Sequence, residues 1–132
     1  MVFNTNTSEK YLPRNKYDFS RVNHLKSMNR SELSFLLPGL MEWIQDMNWP
    51  IATEVAELLL TFPNEIVPLV KDVLDTNDDV WKYWCLECLV KRFPVEFQMQ
   101  LKDDLVRLVE NPTTGEKLEE LDQIARETLL FL

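Results

Sequence analysis

Glycine is nearly absent from this chain. Its 132 residues hold only Gly39 and Gly115, together with one histidine, His24, and two cysteines, Cys85 and Cys88. Two isolated glycines exclude a phosphate-cradling loop, which needs clustered glycines so that backbone N–H groups can approach the anion. Their scarcity also removes most tight turns and leans the chain towards helix. No nucleophile–base pair is visible: three Ser fall within residues 27–34, and the single His, His24, reads as surface or core filler in a short amphipathic helix. Cys85 and Cys88 form a C-x-x-C, but zinc needs about four ligands and only His24 could add to them. A redox pair would place its first thiol at a helix N-terminus. Here the pair sits within an apolar helical stripe, so both read as structural thiols, with no metal, cofactor or disulfide. No apolar run approaches the ~18–20 residues that cross a bilayer. The start, Met1-Val-Phe-Asn-Thr-Asn-Thr-Ser8, lacks a charged segment followed by an apolar one, so no secretory signal is expected. The chain reads as a soluble, cytoplasmic protein without membrane contact.

Positive charge is scarce as well: 14 Lys and Arg stand against 22 Asp and Glu, a net charge of −8. The imbalance is uneven. Residues 1–30 carry six basic and two acidic residues, leaving residues 31–132 with eight basic and twenty acidic ones, a net of −12. Such a body repels phosphate backbones, so nucleic acid is excluded as a partner for the helical region. The basic segment is expected to fold across the acidic body, with Lys16 and Arg21 docked on carboxylates and Tyr17 and Phe19 packed beneath them.

What is present is a repeat. Leu58-Leu-Leu-Thr-Phe-Pro-Asn-Glu-Ile66, followed by Lys71-Asp-Val-Leu74, returns 31 residues later as Leu89-Val-Lys-Arg-Phe-Pro-Val-Glu-Phe97, followed by Lys102-Asp-Asp-Leu105. Self-similarity at a period of ~20–50 residues marks stacked supersecondary units. The expected fold is all-α: a short right-handed α-solenoid of HEAT-like helix pairs with about seven helices. Residues 1–17 form a polar N-terminal arm, mobile as far as Lys10. Residues 18–132 form one helical-repeat domain, with units at about 50–75 and 80–110 and a capping helix over 114–131.

Local signals place the helices. Val22, Leu25 and Met28 share a helical face. Ser31 is expected to cap the next helix, which Pro38 interrupts. Leu40, Trp43 and Ile44 follow on one side. Pro50 precedes a helix with Val55, Leu58, Leu59 and Phe62 inward, and Pro63 opens its partner, with Ile66, Val70, Val73 and Leu74 inward. Asn77-Asp-Asp79 caps the central helix, whose expected core is Trp81, Trp84, Cys85, Cys88, Leu89 and Phe93. After Pro94, Phe97, Leu101, Leu105, Leu108 and Val109 stay in phase. Thr113 and Glu116 form a capping box, and Leu118, Leu121, Ile124, Ala125 and Leu129 are expected to be buried.

Three segments carry a resemblance: Leu12-Pro-Arg-Asn-Lys-Tyr-Asp18, the E-W-x-Q-D-x-N-W-P string within residues 40–52, and the N-D-D-x-W-K-Y-W-C string at residues 77–85. Together they resemble an uncharacterised bacterial domain-of-unknown-function family, number 5071, over nearly the whole chain from about Leu12. The resemblance implies the fold and adds no catalytic residue. The family's frequent single-domain occurrence is compatible with immunity proteins of toxin systems.

The candidate patch is aromatic and acidic: Trp43, Asp46, Trp49, Asp78, Asp79, Trp81 and Tyr83. Carboxylates here can cap helices or bond buried indole N–H groups, a purely structural task. Alternatively, Trp and Tyr act as interface anchors while the carboxylates select a basic ligand. The leading expectation is a non-enzymatic interaction module for a protein partner, in its sharpest form an immunity-type protein that binds a basic toxin. The alternative is a small enzyme or small-molecule-binding protein that uses acidic residues near the Trp cluster.

Overall fold

The computed structural model describes residues 10–132, and every regular element among them is helical. The α-helices are α1 (Phe19–Ser27), α2 (Arg30–Ser34), α3 (Leu37–Met41), α4 (Ala52–Leu60), α5 (Pro63–Leu74), α6 (Asp79–Cys88), α7 (Val95–Met99), α8 (Lys102–Glu110), α9 (Thr114–Leu118) and α10 (Leu121–Leu129). Two 3-10 turns, Glu42–Ile44 and Val90–Arg92, follow α3 and α6. None of these helices is long and apolar enough to cross a membrane.

Side-chain caps start four of the helices. Asp18, Asn29, Asp78 and Thr113 each accept a hydrogen bond from a backbone N–H of the first turn that has no intrahelical partner. Ser31, the expected cap of α2, lies inside that helix and donates its hydroxyl to the Asn29 side chain. The Asn29 side-chain oxygen does the capping by accepting from Glu32 N at 2.9 Å. The helical pattern is interrupted just ahead of Pro38, as expected: α2 ends at Ser34 and α3 starts at Leu37. Pro38 sits in the first turn of α3, where a missing N–H leaves no bond unmade.

Helices α4 and α5 meet at Phe62–Pro63 and pack on each other, and α5 packs on α6. Helix α6 also touches the first 3-10 turn and α10, so neighbours surround it, as a nearly all-round apolar helix requires. One hydrophobic cluster runs from Val22 to Ala125 through all of these layers.

Ten α-helices among the described residues stand where about seven are expected, in part because two long segments are divided. After Pro94 the chain forms α7, turns at Gln100 and Leu101, and restarts as α8, whose most extensive contact is with α10. The first unit has no such break. Where it buries Val67, the second buries Gln98, whose amide donates to the Val90 carbonyl at 2.9 Å. The 31-residue match in sequence therefore gives unequal structures. The second division is at Glu120, whose φ of 61° is the left-handed conformation that separates α9 from α10. The expected single helix over 114–131 is thereby split, and Leu118, expected in the core, is 78% exposed.

Along α6 and the turn that follows it, the burial also departs from expectation. Cys85, Leu86, Leu89 and Phe93 are buried, Trp81, Trp84 and Cys88 are half-buried, and Lys82 is buried.

The expected mobility before Lys10 lies outside the described residues. Beyond it, the segment is held by apolar contact and backbone bonds. Pro13 is buried, Tyr11 and Leu12 pack on the core, and a Cβ at Gly39 would come within 2.6 Å of Leu12 Cδ1. Arg21 Nη1 donates to the Leu12 carbonyl, and Ile51 N to the Lys16 carbonyl. The docking expected of Tyr17 and Phe19 is not found. They are 64% and 40% exposed, and the Lys16 ammonium lies over the Tyr17 ring. Of the segment's cations, Lys26 lies 2.9 Å from Glu54, and Arg30 lies over Phe62 and donates to the Thr61 carbonyl. Buried Asp18 anchors the segment's end. It accepts from Arg14 and caps α1, and chiefly through the Arg14 hydrogen bond its carboxyl is held far below the usual range. Deleting residues 1–20 is therefore expected to cost at least ~1–2 kcal/mol through the lost cap and apolar contact. Deleting residues 1–10 should leave urea denaturation unchanged. Identical midpoints for both truncations would refute this anchoring.

Candidate functional site

The structure divides the expected aromatic–acidic patch into parts. Trp43, on the first 3-10 turn, meets Trp49 edge-on with ring centroids 5.6 Å apart. Asp46 shapes the turn between them, because its side chain accepts from Asn48 N at 2.8 Å and its carbonyl from Trp49 N. Asp78 caps α6 by accepting from Trp81 N, and the Trp81 indole donates to the Met41 carbonyl at 3.1 Å. That bond ties α6 to the end of α3, one residue before the turn that carries Trp43.

Tyr83 belongs elsewhere. It lies two positions from Trp81 on one helix, so the two side chains do not face each other. Its ring contacts Trp84 edge-on at 5.0 Å. Asp79 also leaves the patch and turns into a buried ion network.

Trp81 forms one wall of a cleft of about 180 Å³ between α3, α5 and α6, lined also by Pro38, Met41, Leu69, Asp72, Val73 and Thr76. The walls are apolar apart from Thr76, whose hydroxyl is spent on the Val73 carbonyl, and Asp72. Asp72 is exposed and has no ion-pair partner among the described residues. It is absent from the expected patch. The repeat does pair Asp72 with Asp103, but nothing in the sequence shows that α3 and α6 converge beside it.

The ion network is the strongest electrostatic feature. Lys82 Nζ lies 3.0 Å from both Asp79 Oδ1 and Glu116 Oε2. Arg107 holds the same Glu116 carboxylate through two bonds of 2.9 and 2.7 Å, and Thr113 N donates to it at 2.8 Å. Both oxygens of Glu116 are thus occupied. The Arg107 hydrogen bond, ahead of those from Thr113 N and Lys82, holds the carboxyl far below its ordinary range. Gly115 makes room for this arrangement, because a Cβ there would collide with Asp79 Oδ2. The sequence identifies Glu116 only as half of a capping box. That box is present, and its carboxylate also ties α6, α8 and α9 together. The missed signal was Lys82, placed three residues before Cys85 and four before Leu86 on the face that enters the core.

The network is closed and saturated, which suits a structural clamp. Both thiols are free, and burial pushes the Cys85 thiol well up and the half-buried Cys88 thiol in the same direction. Among the described residues no group of three or more His, Cys, Asp or Glu side chains could hold a metal ion. A larger hollow of about 330 Å³ beside the C-terminal residues is lined by Lys91, Gln98, Glu127, Thr128, Leu130 and Phe131. Its polar groups bond to Glu87, to one another or to backbone carbonyls. The Trp81 cleft differs from these sites in holding a carboxylate, Asp72, without an ion-pair partner among the described residues.

A family model described as a domain of unknown function (DUF5071) matches residues 11–129. No curated protein matches the chain. With nearly all of its length matched, the chain belongs to that family.

Proposed function

We propose that this member of the DUF5071 family is a non-enzymatic protein-interaction module whose acidic, Trp-bearing surface holds a basic protein partner. The observation that carries this reading is the absence of ion-pair partners at Asp46, Asp72 and Asp78 among the described residues, beside Trp43, Trp49 and Trp81. Carboxylates left without counter-charges next to aromatic anchors suit recognition of cationic surface, since aromatic residues dominate interface hot spots and charge complementarity steers encounter. A body at −12 extends that field beyond the site.

The finer architecture belongs to the same proposal. The α4–α5 pair, α5 against α6, and α10 against both α6 and α8 support a short right-handed HEAT-like solenoid closed at its end by α10. In its sharpest form the proposal is a cytoplasmic, immunity-type bacterial protein whose partner is a basic toxin.

The test is affinity capture of partners by the full chain at low and then high salt, paired with a thermal-shift screen of small molecules. A basic protein retained at low salt, released at high salt and lost with Asp46→Asn plus Asp72→Asn is the expected result. Retention of no protein, with a metabolite that raises the melting temperature, would replace this reading with a small-molecule or enzymatic one.

A further inference from the structure

We infer that the cleft between α3, α5 and α6 is an anchor pocket for one long cationic side chain, arginine or lysine, with its stem along Trp81 and its head at Asp72. This inference rests on the reading of the chain as a module for a basic partner and specifies where that partner is gripped. Three observations support it. The first is size: about 180 Å³ is smaller than the ~300–1,000 Å³ of sites that enclose small molecules, but suits a single side chain. The second is the lining. Pro38, Met41, Leu69, Val73 and Trp81 offer an apolar channel to the methylene stem, which long basic side chains bury while the charged head stays at the rim.

The third is charge. Among the described residues no cation lines the cleft, Asp72 is its one charged group, and that carboxylate has no ion-pair partner. The nearest basic residue in sequence, Lys71, is directed to Asp104, 3.7 Å away. An acidic or purely apolar occupant would leave Asp72 repelled or desolvated without compensation, whereas a guanidinium can bond it in a fork and stack on the indole. The indole is also fixed in advance by its hydrogen bond to the Met41 carbonyl, so its orientation need not be ordered on binding.

The experiment is an NMR titration of the full chain with Nα-acetyl-arginine amide, with its neutral isostere Nα-acetyl-citrulline amide, and with guanidinium chloride, each at matched ionic strength. The arginine probe should shift the Trp81 indole N–H and the Leu69, Asp72, Val73 and Thr76 amides, binding at least fivefold more tightly than either control. Asp72→Asn should remove most of that advantage, and Asp72→Lys should abolish the shifts while leaving the spectrum folded. Citrulline binding as tightly as arginine, shifts elsewhere, no shifts at all, or an Asp72→Asn protein indistinguishable from the parent would each overturn the inference. If the cleft fails in this way while a basic protein is still captured at low salt, the interaction-module reading survives and its anchor lies elsewhere. If arginine binds as expected but no basic protein is captured, the pocket stands and the reading above it falls.

Discussion

Replacing Glu116 by Gln is expected to destabilise the protein by about 3 kcal/mol, and by up to about 5 kcal/mol as Glu116→Ala, in urea denaturation at neutral pH. Removing one partner of a buried ion pair strands the other charge, and the loss is typically ~3–5 kcal/mol. The strandings here are unequal. The Arg107 side chain is 42% exposed and can rehydrate, whereas Lys82 is 4% exposed and would keep only Asp79. The lower figure for Gln reflects its retained shape and one remaining acceptor oxygen. Lys82→Met should cost less than either, because Glu116 would keep Arg107 and Thr113 N while the apolar chain fills the ammonium's channel. A Glu116→Gln protein within 1 kcal/mol of the parent would refute the clamp.

The same carboxylate sets an acid limit. Its folded-state pKa lies below the ordinary value of 4.5, so its contribution is full above that value and is lost as pH falls below it. Asp18 acts in the same direction from its ordinary value of 3.8. Stability of the parent should therefore begin to fall below about pH 5 and keep falling well below pH 3, more gently in Glu116→Gln. Parallel acid limbs would show that the proton is taken up elsewhere.

Signals encoded locally were legible in the sequence. The Thr113–Glu116 box, the Asp78 cap and the Phe-Pro junctions depend on neighbours within four residues, and each is present. The inward faces of α4 and α5 follow from spacing alone, and Val55, Leu59, Ile66 and Val70 are all fully buried. What was not legible depended on distant partners or on small backbone choices. Asn29 and Ser31 are both good caps by residue type, and spacing does not decide between them. The left-handed Glu120 that exposes Leu118 has no sequence mark, because such a conformation normally calls for Gly or Asn. The division of the candidate patch has the same origin. Asp79 could cap, anchor or recognise, and it pairs with Lys82 because α9 brings Glu116 and the bare Cα of Gly115 beside it. Charge balance placed positive residues against the acidic body, but spacing could not say that Lys26 and Arg30, rather than Lys16, make those contacts.

Truncating Leu89 should separate the core of α6 from its rim. Leu89 is fully buried where α6 passes into the Val90–Arg92 turn, its N–H bonded to the Cys85 carbonyl and its own carbonyl to Arg92 N. A close-packed interior cannot collapse around so central a site, so Leu89→Ala is expected to cost about 3–5 kcal/mol from lost transfer and the cavity left behind. In a chain of this length that would lower Tm by roughly 10 °C or more. Spacing alone would assign Trp84 the same role, as one more member of the apolar stripe. The structure instead leaves it half-buried and edge-on to Tyr83, outside the buried cluster. Trp84→Ala should then cost only about 1–2 kcal/mol, the worth of an aromatic pair with partial burial. Thermal unfolding of the two variants side by side decides the matter. A large gap, with Leu89→Ala the weaker protein, is expected. Equal losses would mean that Trp84 turns inward and that α6 is rotated from the position described, which would also move Lys82 away from Glu116.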